Sequence, residues 1–188
     1  MNKSKNKITR RQFLCNTAGI ALAVSLPESL YAAVTPVPAY KELSLYNLHT
    51  EEKLALRYFE QGSYVTGALR EISYLLRDHR TGDVLAMDPM LLDLLYDLKG
   101  VLATEQPIQV ISGYRSPKTN ALLHQHSQGV ATKSLHMQGK AIDIRIPGIS
   151  SATIRKAAMS LAQGGVGYYP SSGFVHVDTG SVRAWAGR

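Results

Sequence analysis

Two short stretches, AIDIRI at 141–146 and FVHVD at 174–178, constrain this chain more than any other feature. Both alternate with a period of two, so neighbouring side chains fall on opposite faces of a strand. In the first, Ile142, Ile144 and Ile146 share one face and Asp143 and Arg145 the other. In the second, Val175 and Val177 are opposed by His176 and Asp178. Such strands require a sheet with one apolar face in a core and one polar face turned away from it. If the two strands are neighbours, Asp143 and His176 converge. His136 reaches the same point from the loop that enters the first strand, and Gly139 allows that loop a positive φ or a close backbone approach.

The remaining pattern is mixed. LSLYNLHT and KLALRYF alternate around Thr50-Glu51-Glu52 and predict a hairpin. YVTGALREISYLLRDHR sets Leu69, Ile72, Leu75 and Leu76 at helical spacing, stopped by Gly82-Asp83. Asp88-Pro89 is a cap and first turn for MLLDLLYDLKGVL. PIQVISGYRS predicts a buried strand running into a turn, SPKTNALLHQHSQG a short helix and loop, and ATIRKAAMSLA a further core helix. GGVGYY and FVHVDTG are the last two expected strands. Helices and strands do not alternate as regular βαβ units, so the fold expected is α+β, a small, mainly antiparallel sheet flanked by helices.

The first 32 residues stand apart. A polar basic start leads into Thr9-Arg10-Arg11-Gln12-Phe13-Leu14, then the apolar run AGIALAVSL, then small residues around Ala32. This predicts a twin-arginine export signal over 1–32, a proline-bearing linker over 33–41 and one domain over 42–188. The apolar run is far short of the ~20 residues of a membrane span, so no anchor is expected. The segment holds five of the Lys and Arg residues and one Glu, and without it the net charge falls from +7 to +3. What remains is scattered, which argues against nucleic-acid binding. The single cysteine, Cys15, also lies in the leader. A cysteine nucleophile is thereby excluded from the exported protein, and no G-x-S-x-G announces serine chemistry.

Two imidazoles and a carboxylate suit zinc, which takes tetrahedral N/O ligation and, with three protein ligands, keeps a fourth position for water. On spacing alone, groups such as His136 and Asp143 are more often buried and satisfied by ordinary hydrogen bonds than metal ligands. His49 and His79 read as surface or packing residues. His124 and His126, two apart before a glycine-containing loop, read the same way, with cleft lining as the alternative.

The ordered residues Ser134, His136, Gly139, Ala141 and Asp143, with Ser112-Gly113-Tyr114-Arg115-Ser116 upstream and Phe174-Val175-His176-Val177-Asp178 downstream, carry a resemblance. They resemble the D-Ala-D-Ala metallopeptidase superfamily, which includes lysostaphin-type peptidases and the hedgehog signalling domain. Within it, the whole segment after the leader is most similar to the exported murein endopeptidases. The resemblance implies one zinc ion held by His136, Asp143 and His176. It implies a substrate carboxylate on Arg115, a residue whose planar fork matches that group, with Tyr114 and Ser116 lining the cleft. Many of these enzymes carry an acid three residues before the last ligand as general base, and here that position is Gly173. Asp178 is the nearest local substitute, as base or as a group orienting a ligand.

The function implied is periplasmic hydrolysis of peptide cross-links in peptidoglycan, D-Ala–diaminopimelate or diaminopimelate–diaminopimelate, by a monomer acting on stem peptides. The alternatives are a carboxypeptidase trimming terminal D-Ala, and a non-catalytic peptidoglycan-binding module that keeps its zinc for structure.

Overall fold

A computed structural model describes residues 38–126 and 131–187. The expected leader, and with it Cys15 and most of the linker, lies outside the described residues.

Eight strands form one sheet in the order β3-β2-β1-β4-β5-β7-β6-β8. They are β1 (Tyr40–Asn47), β2 (Lys53–Glu60), β3 (Ser63–Tyr64), β4 (Ile108–Ser112), β5 (Ala141–Arg145), β6 (Gly165–Tyr169), β7 (Phe174–Asp178) and β8 (Arg183–Ala186). Only β1–β4 and β6–β8 pair in parallel; every other neighbour is antiparallel. The helices are α1 (Thr66–Leu75), α2 (Pro89–Val101), α3 (Pro117–His126) and α4 (Ser151–Leu161), with a 3-10 turn at Leu135–Gln138. The architecture is α+β, as the mixed pattern predicts. None of the helices among the described residues is long and apolar enough to cross a membrane.

Alternation decides which face of the sheet is covered. Leu43 and Leu45 of β1, Ile108 and Val110 of β4, Ile142 and Ile144 of β5, and Val175 and Val177 of β7 are all buried. They form one cluster with Leu91, Leu92, Leu95 and Leu98 of α2 and Ile154 of α4. Burial of each such side chain stabilises the fold by roughly 1.5–3 kcal/mol. Helix α2 begins where the sequence signals it: the Asp88 carboxylate accepts from the Met90 N–H at 3.0 Å, and Pro89 opens the first turn. Helix α1 ends at Leu75, well before Gly82. The backbone between them is tied by Asp78, whose carboxylate accepts from the Arg80 and Ser116 N–H groups.

Two strands were not expected. β3 has two residues, and β8, the segment RAWA, pairs in parallel with β6. Four residues with two alanines carry no period strong enough to announce a strand, and β8 exists because the open edge of β6 supplies partners.

Candidate metal centre

Strands β5 and β7 are antiparallel neighbours, and their register sets Asp143 directly opposite His176. The side chains therefore emerge side by side on the polar face of the sheet. His136 enters from the 3-10 turn, and local chemistry shapes that turn. The Ser134 hydroxyl accepts from the His136 N–H at its start, and Gly139 closes it at φ 67°. A Cβ on Gly139 would stand 2.6 Å from the Ala86 carbonyl oxygen, so this position needs glycine for its conformation and for the space.

Three ligand atoms meet. His136 Nε2 lies 3.1 Å from His176 Nδ1 and 3.3 Å from Asp143 Oδ1, and His176 Nδ1 lies 2.9 Å from the same oxygen. All three residues are buried, His136 at 2% exposure. The hydrogen bonds behind them decide which nitrogens carry protons. His136 Nδ1 lies 2.7 Å from the Gly113 carbonyl, which can only accept, so the proton is on Nδ1 and the lone pair of Nε2 turns to the centre. His176 Nε2 donates to Asp178 Oδ2 at 3.0 Å, leaving Nδ1 as its inward atom. Two nitrogens and one oxygen, each within 4.8 Å of the others, form the only group of three or more His, Cys, Asp or Glu ligands able to hold a metal ion among the described residues. Once His176 Nδ1 gives up its proton, three acceptors face one another in a buried site, an arrangement that a cation between them relieves. The donor set fits a tetrahedral divalent ion with one further position.

The electrostatics follow from that packing. Burial works against a charge on His176, but the hydrogen bonds to Asp143 and Asp178 outweigh it and hold the imidazole up at about 9. Burial dominates at His136 and pushes it down, against the pull of Asp143. Burial alone would raise Asp143, yet His136 and His176 hold it far below the usual carboxylate range.

Asp178 is fully buried and saturated. Oδ1 accepts from the Gly165 and Gly180 N–H groups and from Arg183, at 3.1, 2.8 and 3.0 Å. Oδ2 accepts from His176 and, at 2.6 Å, from Arg183 Nη2. Against burial, these bonds to His176, Arg183 and the Gly180 N–H keep it ionised well below its ordinary range. A carboxylate so surrounded orients His176 and has no open lone pair to offer a substrate.

The turn after β4 brings Arg115 to the centre, with Nη2 3.5 Å from Asp143 Oδ2 and 3.3 Å from Ser112 Oγ. Its buried Nε has no partner among the described residues. Burial lowers the guanidinium below its ordinary value, partly offset by Asp143. Ser116 is 2% exposed, its hydroxyl accepts from the Thr119 N–H, and its own N–H donates to Asp78, so it starts α3. Tyr114 packs against the core, where burial and the nearby Asp83 and Asp78 push its hydroxyl up. Neither is hydrogen-bonded to the three-residue cluster among the described residues. His49 and His79 stack on each other at 3.8 Å, and His124 and His126 lie exposed in the last turn of α3.

Two site residues escaped the sequence reading. Trp185 of β8 lies across Gly167, with its ring 5.2 Å from that of His176 and its Nε1 donating to the Tyr169 hydroxyl at 3.1 Å. Arg183, two residues earlier, clamps Asp178. The signal for both is the pair of glycines in Gly-Val-Gly at 165–167, which clears a strand face for bulky partners from another segment. A surface hollow of about 540 Å³ lined by Leu54, Tyr74, Leu75 and Val84 contains none of these residues.

Comparison with known proteins agrees with the geometry. Residues 35–185 match the family profile described as peptidoglycan L,D-endopeptidase MepK. The peptidoglycan L,D-endopeptidase MepK of Escherichia coli strain K12 is 45% identical over 176 residues, covering 93% of this chain and 96% of that protein. A probable peptidoglycan L,D-endopeptidase MepK of Haemophilus influenzae is 44% identical over 181 residues, covering 95% and 96%.

Proposed function

This chain belongs to the peptidoglycan L,D-endopeptidase MepK family of M15 metallopeptidases, and on that premise we propose that it is a zinc-dependent murein endopeptidase. The observation that supports this most is the hydrogen bonding of the outer nitrogens of His136 and His176, which turns the two inner nitrogens and the Asp143 carboxylate on one point. His136 Nε2, His176 Nδ1 and Asp143 would hold the ion. Zinc there would supply an activated water and an electrophile for the scissile carbonyl.

The chain's own residues do the rest. Asp178 fixes the orientation of the His176 ring through Nε2, and Arg183 fixes Asp178. Arg115, with an unpartnered buried N–H, takes a carboxylate of the stem peptide by charge-assisted hydrogen bonds. Trp185 and Tyr169 form an aromatic wall that limits solvent beside His176. Gly173 brings no side chain, so an acid at that position plays no part.

The bond we assign is the diaminopimelate–diaminopimelate link. It joins an L-centre carbonyl to a D-centre amine, which suits the L,D specificity in the names of the relatives, whereas D-Ala–diaminopimelate is a D,D bond. We also propose that residues 1–32 direct export by the twin-arginine route, on the strength of Arg10-Arg11 and the modest apolar run that follows. The protein then acts as a monomer in the periplasm, where its substrate lies.

The test incubates purified protein with cross-linked muropeptides, with and without Zn²⁺, beside His136→Ala. Zinc-dependent conversion of dimers to monomers, absent from the variant, is the expected result. Intact dimers with shortened stems would mean a carboxypeptidase. No cleavage by protein shown to bind zinc would mean a binding module.

A further inference from the structure

Arg145 shares the polar face of β5 with Asp143 and stands two residues further along, about 7 Å away in the strand direction. Its guanidinium lies over the turn between β6 and β7, where Nε donates to the Gly173 carbonyl at 2.8 Å and Nη2 to the Ser172 carbonyl. Those bonds fix its position without neutralising it, because carbonyls carry no net charge. A guanidinium has more donors than the two carbonyls use, and Nη1 has no hydrogen-bond partner among the described residues. The residue is exposed.

Gly173 explains why the charge stays open. At φ 69°, a Cβ there would stand 3.5 Å from Arg145 Nη2 and 3.7 Å from Nε. An acidic side chain at 173 would therefore pair with Arg145 inside the protein. Glycine leaves the guanidinium for a carboxylate that arrives from outside. Arg115, beside Asp143 from the β4 turn, and Arg145, two residues beyond Asp143 on the same strand face, are thus two cations on the polar side of the sheet.

The two possible cross-links differ in what such a pair would meet. Both place a free carboxylate beside the amide nitrogen, on the diaminopimelate that supplies the amine. On the acyl side, a D-Ala–diaminopimelate link offers only a methyl group. A diaminopimelate–diaminopimelate link offers a side chain ending in an amine and a second free carboxylate. We propose that Arg145 is the specificity-determining residue that binds this acyl-side carboxylate, while Arg115 takes the one beside the amide nitrogen. The proposal rests on reading the chain as a murein endopeptidase, and it names the group by which one link is told from the other.

The full-length protein loaded with zinc is assayed on a diaminopimelate–diaminopimelate dimer, on the same dimer amidated at the acyl-side carboxylate, and on a D-Ala–diaminopimelate dimer. Arg145→Gln is assayed beside it. The variant is expected to lose about ten- to hundredfold in kcat/KM on the acid dimer, chiefly through KM. Amidation should cost the unaltered protein a similar factor and the variant nothing. Binding of the intact acid dimer to metal-free protein, followed through Trp185, the chain's only tryptophan, should weaken by the same factor in the variant. An equal loss on acid and amidated dimers would show that Arg145 only holds the 172–173 turn, and would overturn the proposal. Cleavage of none of the three dimers by the unaltered protein would overturn the endopeptidase reading, and the fluorescence titration would still decide what Arg145 binds.

Discussion

Asp93 and Asp143 are both carboxylates gripped by three side chains, and they differ in what those side chains bring. Asp93, on α2, accepts from Lys41 Nζ at 2.6 Å, from the Tyr58 hydroxyl at 2.9 Å and from the Tyr64 hydroxyl at 2.6 Å. Every neighbour is a donor, so the cluster is complete and serves to bolt β1, β2 and β3 to the helix. Asp143 faces His136 Nε2, a lone pair, and His176 Nδ1, which competes for the same role once its proton leaves, with Arg115 at 3.5 Å. That cluster could hold a metal ion, whereas the one at Asp93 has no atom left to offer.

The contrast can be broken most severely at Asp143 itself. Asp143→Ala should lower kcat/KM on cross-linked muropeptides by a thousandfold or more, about 4 kcal/mol, and should abolish the rise in melting temperature expected when zinc is added to the unaltered protein, read by calorimetry. Asp93→Ala should do the reverse. It strands a part-buried ammonium and two hydroxyls, so stability should fall by about 2–4 kcal/mol in urea titration, while the zinc-induced shift in melting temperature persists. If Asp93→Ala removed that shift as well, the two clusters would not be independent.

Asp178→Asn tests the layer behind the Asp143 cluster. It should weaken zinc affinity about ten- to hundredfold in competition with a chelating dye, with the fold retained. The smallest effect belongs to another imidazole pair. His49 and His79 lie face to face at an interplanar angle of 10°, whereas His136 and His176 meet at 62° with nitrogens aimed at a common point. Burial, together with His49 and Arg80, lowers His79 to about 4. A histidine held below its unfolded value leaves stability intact above pH 6.5 and removes it as pH falls from there to about 4. Melting temperatures measured across that window should decline. His79→Phe, which keeps the stacking surface, should flatten the decline.

What the sequence disclosed follows the range of the physics. AIDIRI and FVHVD state their own faces, because alternation is a property of the strand. Asp88-Pro89 states its own helix start, because a cap acts over two or three residues. Ser116-Pro117 carries the same kind of signal at the start of α3. Trp185, Arg183 and the stacking of His49 on His79 were not legible, because each depends on segments that only tertiary structure brings together. The meeting of His136, Asp143 and His176 was foreseen through family resemblance; the spacing of His136 and Asp143 alone did not separate metal binding from ordinary burial.

Asp88 caps α2 with one carboxylate oxygen and accepts from the Thr179 hydroxyl with the other at 2.8 Å, while its N–H donates to the Gly139 carbonyl at 2.9 Å. Thr179 follows β7 directly, and its N–H reaches the Lys140 carbonyl at 3.0 Å. The segment bearing His136 and the strand bearing His176 are therefore clipped to the same helix cap. Through that cap the centre is tied to the core, and the three side chains are brought together as the domain folds. Adaptation to a different cross-link is thereby left to the rim, around Arg115, Arg145 and Trp185, where side chains can change without disturbing the cap.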